Sequence, residues 1–145
     1  MLGRRALQPI NFVCKDDSAI ESGYEEYEKN LYDYTKLVFK AGQTPTIFKI
    51  RQLNDEQKDI IVSEDNPAKR ARIACRLGLI DVQNFAVIGE NNNYLPLKPI
   101  CFENDPIFGQ VVAKDWYSHE LGLSFSHMVQ IYLAIDKISE ASVPL

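Results

Sequence analysis

The two histidines of this sequence are candidates for metal binding or catalysis. His119 and His127 are the only two in the chain, and Asp115 and Glu120 lie near them. If the two histidines stand on neighbouring helices, their imidazoles could bind a metal ion together with one of these carboxylates. No HExxH motif or equivalent spacing supports such a site, however. We therefore predict no metal site.

The three cysteines are the next candidates, because a thiolate is a strong nucleophile and a good metal ligand. Cys14, Cys75 and Cys101 are far apart, and none of them belongs to a CxxC pair. Cys75 and Cys101 stand among apolar residues, where thiols are unreactive, so a Cys–His pair that uses Cys101 is no better supported than the metal site. We expect packing cysteines in a reducing, cytosolic setting, with no catalytic residue and no cofactor.

Binding of phosphate groups has one candidate, a basic helix predicted over residues 67–77. Lys69, Arg72 and Arg76 fall on one side of this helix, with Arg70 beside them, and they could contact several phosphates. The basic stripe is short and contains no Asn or Gln to read bases, and the net charge of the chain is −4. These features disfavour a nucleic-acid binder. The glycines form neither a GxGxxG motif nor a Walker loop, which leaves no cradle for a nucleotide.

An aromatic stripe is the remaining candidate for binding. The segment SGYEEYEKNLYDY, residues 22–34, places Tyr24, Tyr27, Leu31 and Tyr34 at steps of three, four and three, on one side of a helix. Such a stripe packs on the core or, where it is exposed, grips a protein partner, and core packing is the more common outcome. Our candidate partner-binding residues are Tyr24, Tyr27, Tyr34, Arg70, Arg72 and Arg76.

Short apolar runs rich in β-forming residues predict the strands that must position these side chains. Strands are predicted at residues 10–14, 36–40 and 46–52. The turn-forming residues of AGQTP, 41–45, join the last two strands into a hairpin. Residues 1–9 are predicted to form a loose arm. The pattern from Leu79 to Asp105 is irregular, with one short hairpin that turns at GENNN, residues 89–93.

Complete start signals predict two helices in the middle of the chain, at residues 55–63 and 67–77. Asn54 is a good N-cap, and Gln57 stands where its side chain can return a hydrogen bond to the cap. Asn66 caps the second helix, and Pro67 occupies the first helical position, where its missing N–H costs nothing. Gly78 then ends the second helix in a left-handed conformation.

Two further amphipathic helices are predicted at the C-terminal end. Asp105 and Pro106 open the first, which Gly122 ends, and Ser124 caps the second. The apolar face of the second helix consists of Phe125, Met128, Val129, Tyr132, Ile135 and Ile138. Because the link between the two helices is short, they should pack antiparallel as an αα-hairpin.

Composition and element order together indicate the fold class. With 145 residues and 46% hydrophobic residues, the chain can bury a core of its own. We predict a single α+β domain over residues 10–145, with a short β-hairpin or small antiparallel sheet, about five helices and a terminal αα-hairpin. No apolar run has the length of a membrane span, so we expect a soluble, intracellular protein.

The order of these elements resembles small proteins of the tail-assembly chaperone type, which tailed bacteriophages encode among their tail genes. Three pieces carry the resemblance: the strand-to-helix segment PTIFKIRQLNDEQ, the segment RLGLIDVQNF and the helix that ends in AIDKIS. Together they span residues 44–86 and 106–139. The chain departs from the family at residues 89–93, where GENNN replaces an acidic, glycine-containing turn.

This resemblance implies a non-enzymatic structural or assembly protein that binds other virion proteins during morphogenesis. The implied partners are phage structural proteins, namely the tape measure and other tail or head–tail components, together with a second copy of the chain in a homo-oligomer. The implied location is the host cytoplasm during assembly, or the virion itself. Neither a membrane nor nucleic acid is an expected partner, and the family has no catalytic residues to transfer.

Two other hypotheses remain open from the residues alone. The first is a small nucleic-acid-binding regulator that uses the basic helix 67–77. The second is a hydrolase or metal enzyme that uses His119 or His127.

Overall fold

Four α-helices and eleven short strands make up the regular structure of the residues described. The computed structural model describes residues 4–5, 8–88, 93–140 and 143–144. The helices are α1 (Tyr24–Lys29), α2 (Asp55–Ser63), α3 (Pro67–Gly78) and α4 (Phe125–Glu140), with a 3₁₀ turn at Tyr34–Lys36 and a π-helical segment at Trp116–Leu121. The fold is α+β, as predicted.

The strands are short and pair antiparallel in small sheets. They are β1 (Arg4–Arg5), β2 (Ile10–Phe12), β3 (Ile20–Ser22), β4 (Val38–Phe39), β5 (Ile47–Ile50), β6 (Leu79–Gln83), β7 (Ala86–Ile88), β8 (Tyr94–Pro96), β9 (Phe102–Asp105), β10 (Gly109–Val112) and β11 (Val143–Pro144). The largest sheet has the order β2-β5-β6. The other pairs are β1 with β11, β3 with β4, β7 with β8 and β9 with β10.

The central sheet follows from the alternation of apolar side chains along β5. Phe48 and Ile50 are two positions apart, so they face the same side of the sheet, and both are buried. Phe48 lies opposite Phe12 of β2 and opposite Val82 of β6. The middle strand, β5, therefore contributes two side chains to the hydrophobic core.

The predicted hairpin between residues 36–40 and 46–52 is wrong, although both strands exist. β4 pairs with β3, whereas β5 pairs with β2 and β6. Turn residues such as those of AGQTP show that the chain reverses, but they do not decide which strands then pair. Here the carboxylate of Asp17 accepts a hydrogen bond from the Thr46 backbone N–H, just before β5, at 2.9 Å.

The helix start signals in the middle of the chain are confirmed. The Asn54 side chain accepts a hydrogen bond from Gln57 N at 2.9 Å, and the Gln57 side chain accepts one from Asn54 N at 3.1 Å. The Asn66 side chain accepts from the backbone N–H groups of Ala68 and Lys69. Each helix begins at its predicted residue because these bonds involve residues only two or three positions apart.

The predicted role of Gly78, a left-handed end to the helix, is wrong. Gly78 is the last residue of α3 and does not adopt the left-handed conformation. A Cβ at this position would lie 2.4 Å from Ile135 Cδ1 of α4. The glycine is therefore needed for close packing of α3 on α4.

The helix that carries the aromatic stripe is shorter than predicted. α1 ends at Lys29, and Leu31 and Tyr32 adopt left-handed backbone conformations, with φ of 52° and 57°. The turn moves Tyr34 off the helix and brings the ring of Tyr32 into edge-on contact with Phe12, at 5.2 Å between ring centroids. The contacts of Tyr32 with the core thus end α1 earlier than the spacing of the tyrosines predicts.

The predicted helix from Pro106 to Gly122 is wrong in its first half, where β9 and β10 form a hairpin. The Asp105 carboxylate accepts hydrogen bonds from the N–H groups of Ile107 and Phe108, at 2.8 and 3.1 Å. An aspartate can make these bonds in a turn as well as at a helix N-cap, so the two cases look alike in sequence. The helical part is one π-helical segment, Trp116–Leu121, and Gly122 ends it with φ of 53°, as predicted.

The apolar face of α4 is rotated from the predicted one. Ile131, Ala134, Ile135 and Ile138 are buried, whereas Phe125 is 53% exposed. The position of α3 decides the face, because α4 packs directly on that helix. The Ser124 hydroxyl accepts from His127 N at 3.2 Å, as expected for an N-cap.

The region predicted to be irregular holds more strand than expected. β6 belongs to the central sheet, and β7 pairs with β8 in the predicted short hairpin, whose tip at residues 89–92 lies outside the described residues. The predicted loose arm also lies mostly outside them, except for β1 and residues 8–9. Within the described ranges, no helix combines the length and apolar character that crossing a bilayer requires.

Candidate functional site

A groove between α1 and α4 is the candidate binding site of this chain. It has a volume of about 470 Å³, and we call it the α1–α4 groove. Its lining includes Phe12, Tyr24, Glu28, Tyr32, Gln130 and Leu133. Leu133 is 56% exposed although it is a large aliphatic side chain on a regular helix. The groove thus combines aromatic surface from the predicted stripe with aliphatic surface from the last helix.

The tyrosines of the stripe have different roles in the structure. The Tyr27 hydroxyl accepts a hydrogen bond from Val13 N at 3.0 Å and donates one to Asn11 O at 2.9 Å. The Tyr24 hydroxyl donates to Val13 O at 2.9 Å. These bonds satisfy backbone N–H and C=O groups at the free edge of the central sheet, in β2 and in the residue after it. Tyr27 is fully buried and belongs to the core, whereas Tyr24 is half-buried and lines the groove.

The third predicted tyrosine lies away from this groove. Tyr34 is half-buried and packs against Phe39, with 5.5 Å between the ring centroids. Burial raises the pKa of Tyr32 to about 12 and also raises the pKa values of Tyr24 and Tyr27. The tyrosines of the groove are therefore neutral hydrogen-bonding and packing groups at physiological pH.

Sequence reasoning missed two residues of the groove, Tyr32 and Leu133. Tyr32 reaches the groove through its left-handed backbone, which no helical spacing predicts. The amine of Lys137 lies 5.1 Å from the centre of its ring, within the range of a cation–π contact. For Leu133, the only signal in the sequence is a leucine that lies outside the predicted apolar face of the last helix.

Two of the three candidate arginines bind within the molecule. The Arg70 guanidinium donates to the Glu64 carbonyl through Nε and Nη2, at 2.9 and 2.6 Å, just after the end of α2. Arg76 donates to Val112 O at 3.0 Å and forms an ion pair with Glu103 at 2.6 Å. Arg72 is exposed, as is Lys69 on the same helix. Less of the basic helix is therefore free for a polyanion than its sequence suggests.

A second arrangement joins the loop after β2 to the first turn of α4. His127 Nε2 lies 2.9 Å from Asp16 Oδ2, and one donor atom each of Cys14, Asp16 and His127 lies within 4.8 Å of the others. We call these three residues the Cys14 cluster. Among the described residues, this is the one group of three Cys, His or acidic side chains close enough to share a metal ion. Its cavity has a volume of about 150 Å³.

His119 and His127, which were considered as joint metal ligands and not predicted to be so, do not belong to one such group among the described residues. His119 is exposed on the π-helical segment, and its neighbour Glu120 forms an ion pair with Lys98 at 3.3 Å. His127 pairs with Asp16 instead. The sequence offered no signal for this pair, since 111 positions separate the two residues.

The Cys14 cluster is poorly suited to nucleophilic catalysis. Burial, and then the charges of Asp16 and Asp17, raise the pKa of the Cys14 thiol to about 12. Desolvation also acts to raise the pKa of Asp16, but hydrogen bonds from His127 and Gln130 outweigh it and lower the pKa below its usual value of 3.8. At neutral pH the cluster thus contains an ionised carboxylate and a protonated thiol, whereas a cysteine nucleophile requires a thiolate.

Comparison with protein-family models, with curated proteins and with solved structures finds no match for this chain.

Proposed function

We propose that this chain is a non-enzymatic binding protein that docks phage structural proteins during virion assembly. The resemblance of PTIFKIRQLNDEQ and RLGLIDVQNF to tail-assembly chaperones supports the phage setting. The high pKa of the Cys14 thiol supports a role without covalent chemistry.

The α1–α4 groove is the observation that carries the proposal. Tyr24, a binding candidate from the sequence, lines this groove together with Leu133, an exposed aliphatic side chain of α4. An open groove lined by aromatic and aliphatic side chains suits the apolar face of an amphipathic helix. A tape-measure protein, which is long and helical in such phages, would offer segments of this kind.

The experiment measures, by calorimetry, the binding of the purified chain to a phage tape-measure protein. Leu133→Glu puts a charge on the wall of the groove, and it should weaken binding by about tenfold or more, since a charge buried at an interface core is costly. Val62→Glu is the matched control, because Val62 is 66% exposed on α2 and does not line the groove. This control should bind like the natural sequence.

Equal loss of binding in both variants, or loss in neither, would contradict docking at the groove. The nucleic-acid alternative has a separate test with Lys69→Glu and Arg72→Glu, the exposed cations of α3. If the chain bound DNA or RNA in a salt-dependent manner and these variants abolished the binding, the alternative would be favoured. Arg70 and Arg76 are unsuitable for this test because their internal hydrogen bonds stabilise the fold.

A further inference from the structure

The Cys14 cluster presents three different metal-ligating groups to one point. Cys14 and Asp16 come from the loop after β2, and His127 comes from the first turn of α4. We propose that these three residues bind one zinc-class divalent ion, with a water molecule as the fourth ligand. This inference does not depend on the proposed function.

The chemistry of the donor atoms selects the class of ion. The ion would displace the proton of the Cys14 thiol to solvent as it binds. The resulting thiolate sulfur, with an imidazole nitrogen and a carboxylate oxygen, forms a mixed set that suits Zn²⁺ and Co²⁺, whereas Mg²⁺ and Ca²⁺ require oxygen ligands. Bonds of about 2.0–2.3 Å at tetrahedral angles place two ligand atoms roughly 3.5 Å apart. The donor atoms already lie within 4.8 Å of one another, so binding requires a movement of about an ångström.

Gln130 holds the carboxylate and the loop in position for this site. It lies one helical turn after His127, on the same side of α4. Its amide oxygen accepts from Lys15 N at 2.8 Å, and its amide nitrogen donates to Asp16 Oδ1 at 3.2 Å. The other carboxylate oxygen, Oδ2, then faces His127. Hydrogen bonds of this kind to a ligating carboxylate are typical of the outer shell of metal sites.

The cavity next to the cluster has room for the water ligand. It is lined in addition by Asp17, Thr46, Phe48 and Phe85. Asp17 is not a ligand, because its two carboxylate oxygens accept from the backbone N–H groups of Ala19 and Thr46, both at 2.9 Å. Its negative charge nevertheless favours a cation nearby.

Binding of an ion would also brace one wall of the α1–α4 groove. Asp16 and Gln130 line that groove as well. The ion would tie the loop after β2 to α4 more firmly than the present ion pair of Asp16 with His127. Metal binding should therefore raise the thermal stability of the chain.

The test titrates the full chain, first freed of metal by a chelator, with Co²⁺ and then with Zn²⁺. Co²⁺ should produce a thiolate-to-cobalt charge-transfer band that saturates at one Co²⁺ per chain. Zn²⁺ should abolish this band by displacing Co²⁺. His127→Gln should weaken Co²⁺ binding at least tenfold, and Cys14→Ser should remove the band. Zn²⁺ should raise the unfolding temperature of the natural sequence but not of His127→Gln.

The chain offers matched controls for both residue types. His119→Gln and Cys101→Ser change the other histidine and the exposed cysteine, and both variants should retain the band and the stoichiometry. Asp16→Asn, on an exposed residue, supplies a further variant if Cys14→Ser fails to fold, and it should also weaken binding. The proposal is wrong if no charge-transfer band forms, if the band persists in His127→Gln with unchanged affinity, or if Cys101→Ser removes it.

Discussion

At the scale of single residues, two buried tyrosines differ in how their hydroxyl groups are satisfied. The Tyr27 hydroxyl makes two hydrogen bonds to the backbone beside β2. The Tyr117 hydroxyl has no hydrogen-bond partner among the described residues, and the thiol of Cys75, a weak hydrogen-bonding group, is close enough to affect its pKa. A buried polar group stabilises a fold only when it is hydrogen-bonded.

This difference predicts unequal effects of the same substitution at the two tyrosines. Tyr27→Phe should lower the free energy of unfolding by about 1–3 kcal/mol, because it leaves Val13 N–H buried without a partner. Tyr117→Phe should change that free energy by less than about 1 kcal/mol, because the buried hydroxyl that it removes has only the weak thiol of Cys75 beside it among the described residues. Urea denaturation followed by circular dichroism measures both. Equal destabilisation by the two substitutions would contradict this explanation.

At the scale of elements, the contact between α3 and α4 depends on the missing side chain of Gly78. The Ile135 side chain occupies the place where a Cβ would stand, and Ile135 is itself 1% exposed. Because interiors are close-packed, an added methyl group there must displace the isoleucine or separate the helices.

We expect Gly78→Ala to lower the free energy of unfolding by about 1–3 kcal/mol through overpacking. The gain in helix propensity, about 1 kcal/mol at most, offsets only part of this loss. Ile135→Val removes the atom at 2.4 Å, so Gly78→Ala should cost less in that background than in the natural sequence. A double-mutant cycle measured by thermal unfolding checks the coupling. Additive effects of the two substitutions would show that the helices adjust without strain.

At the scale of the whole molecule, burial of thiol and phenol groups makes the fold sensitive to alkaline pH. Burial raises the pKa of Cys75 from 9.0 to about 12, and that of Tyr32 from 10.0 to about 12. Between these values the folded chain keeps protons that the unfolded chain releases. Stability contributed by this protonation is complete below pH 9 and is lost as the pH rises toward 12.

The free energy of unfolding should therefore fall as the pH is raised above about 9. Cys75 alone contributes a slope of at most about 1.4 kcal/mol per pH unit. In Cys75→Ala the slope between pH 9 and pH 10 should be shallower, since this group no longer titrates. Urea unfolding at several pH values gives both slopes. A slope that is unchanged by the substitution would show that other groups control the alkaline transition.

Much of the candidate site could not be predicted from the sequence, for a physical reason that its residues illustrate. Tyr24 was identified because its spacing along a helix is a local property. Tyr32 and Leu133 were missed because the first depends on a left-handed turn and the second on the position of α1 beside α4. The Asp16–His127 pair joins residues 111 positions apart, so no spacing rule could indicate it.

The sequence by itself determined the α+β class and the starts of α2 and α3, because capping hydrogen bonds involve residues a few positions apart. It also determined the left-handed exit at Gly122. Only the tertiary structure decided that β5 pairs with β2 and β6 and that residues 102–112 form a hairpin. It alone decided that Gly78 serves packing and that Cys14 meets His127. These outcomes depend on contacts between distant segments, whose burial can outweigh local preferences that differ by about 1 kcal/mol or less per residue.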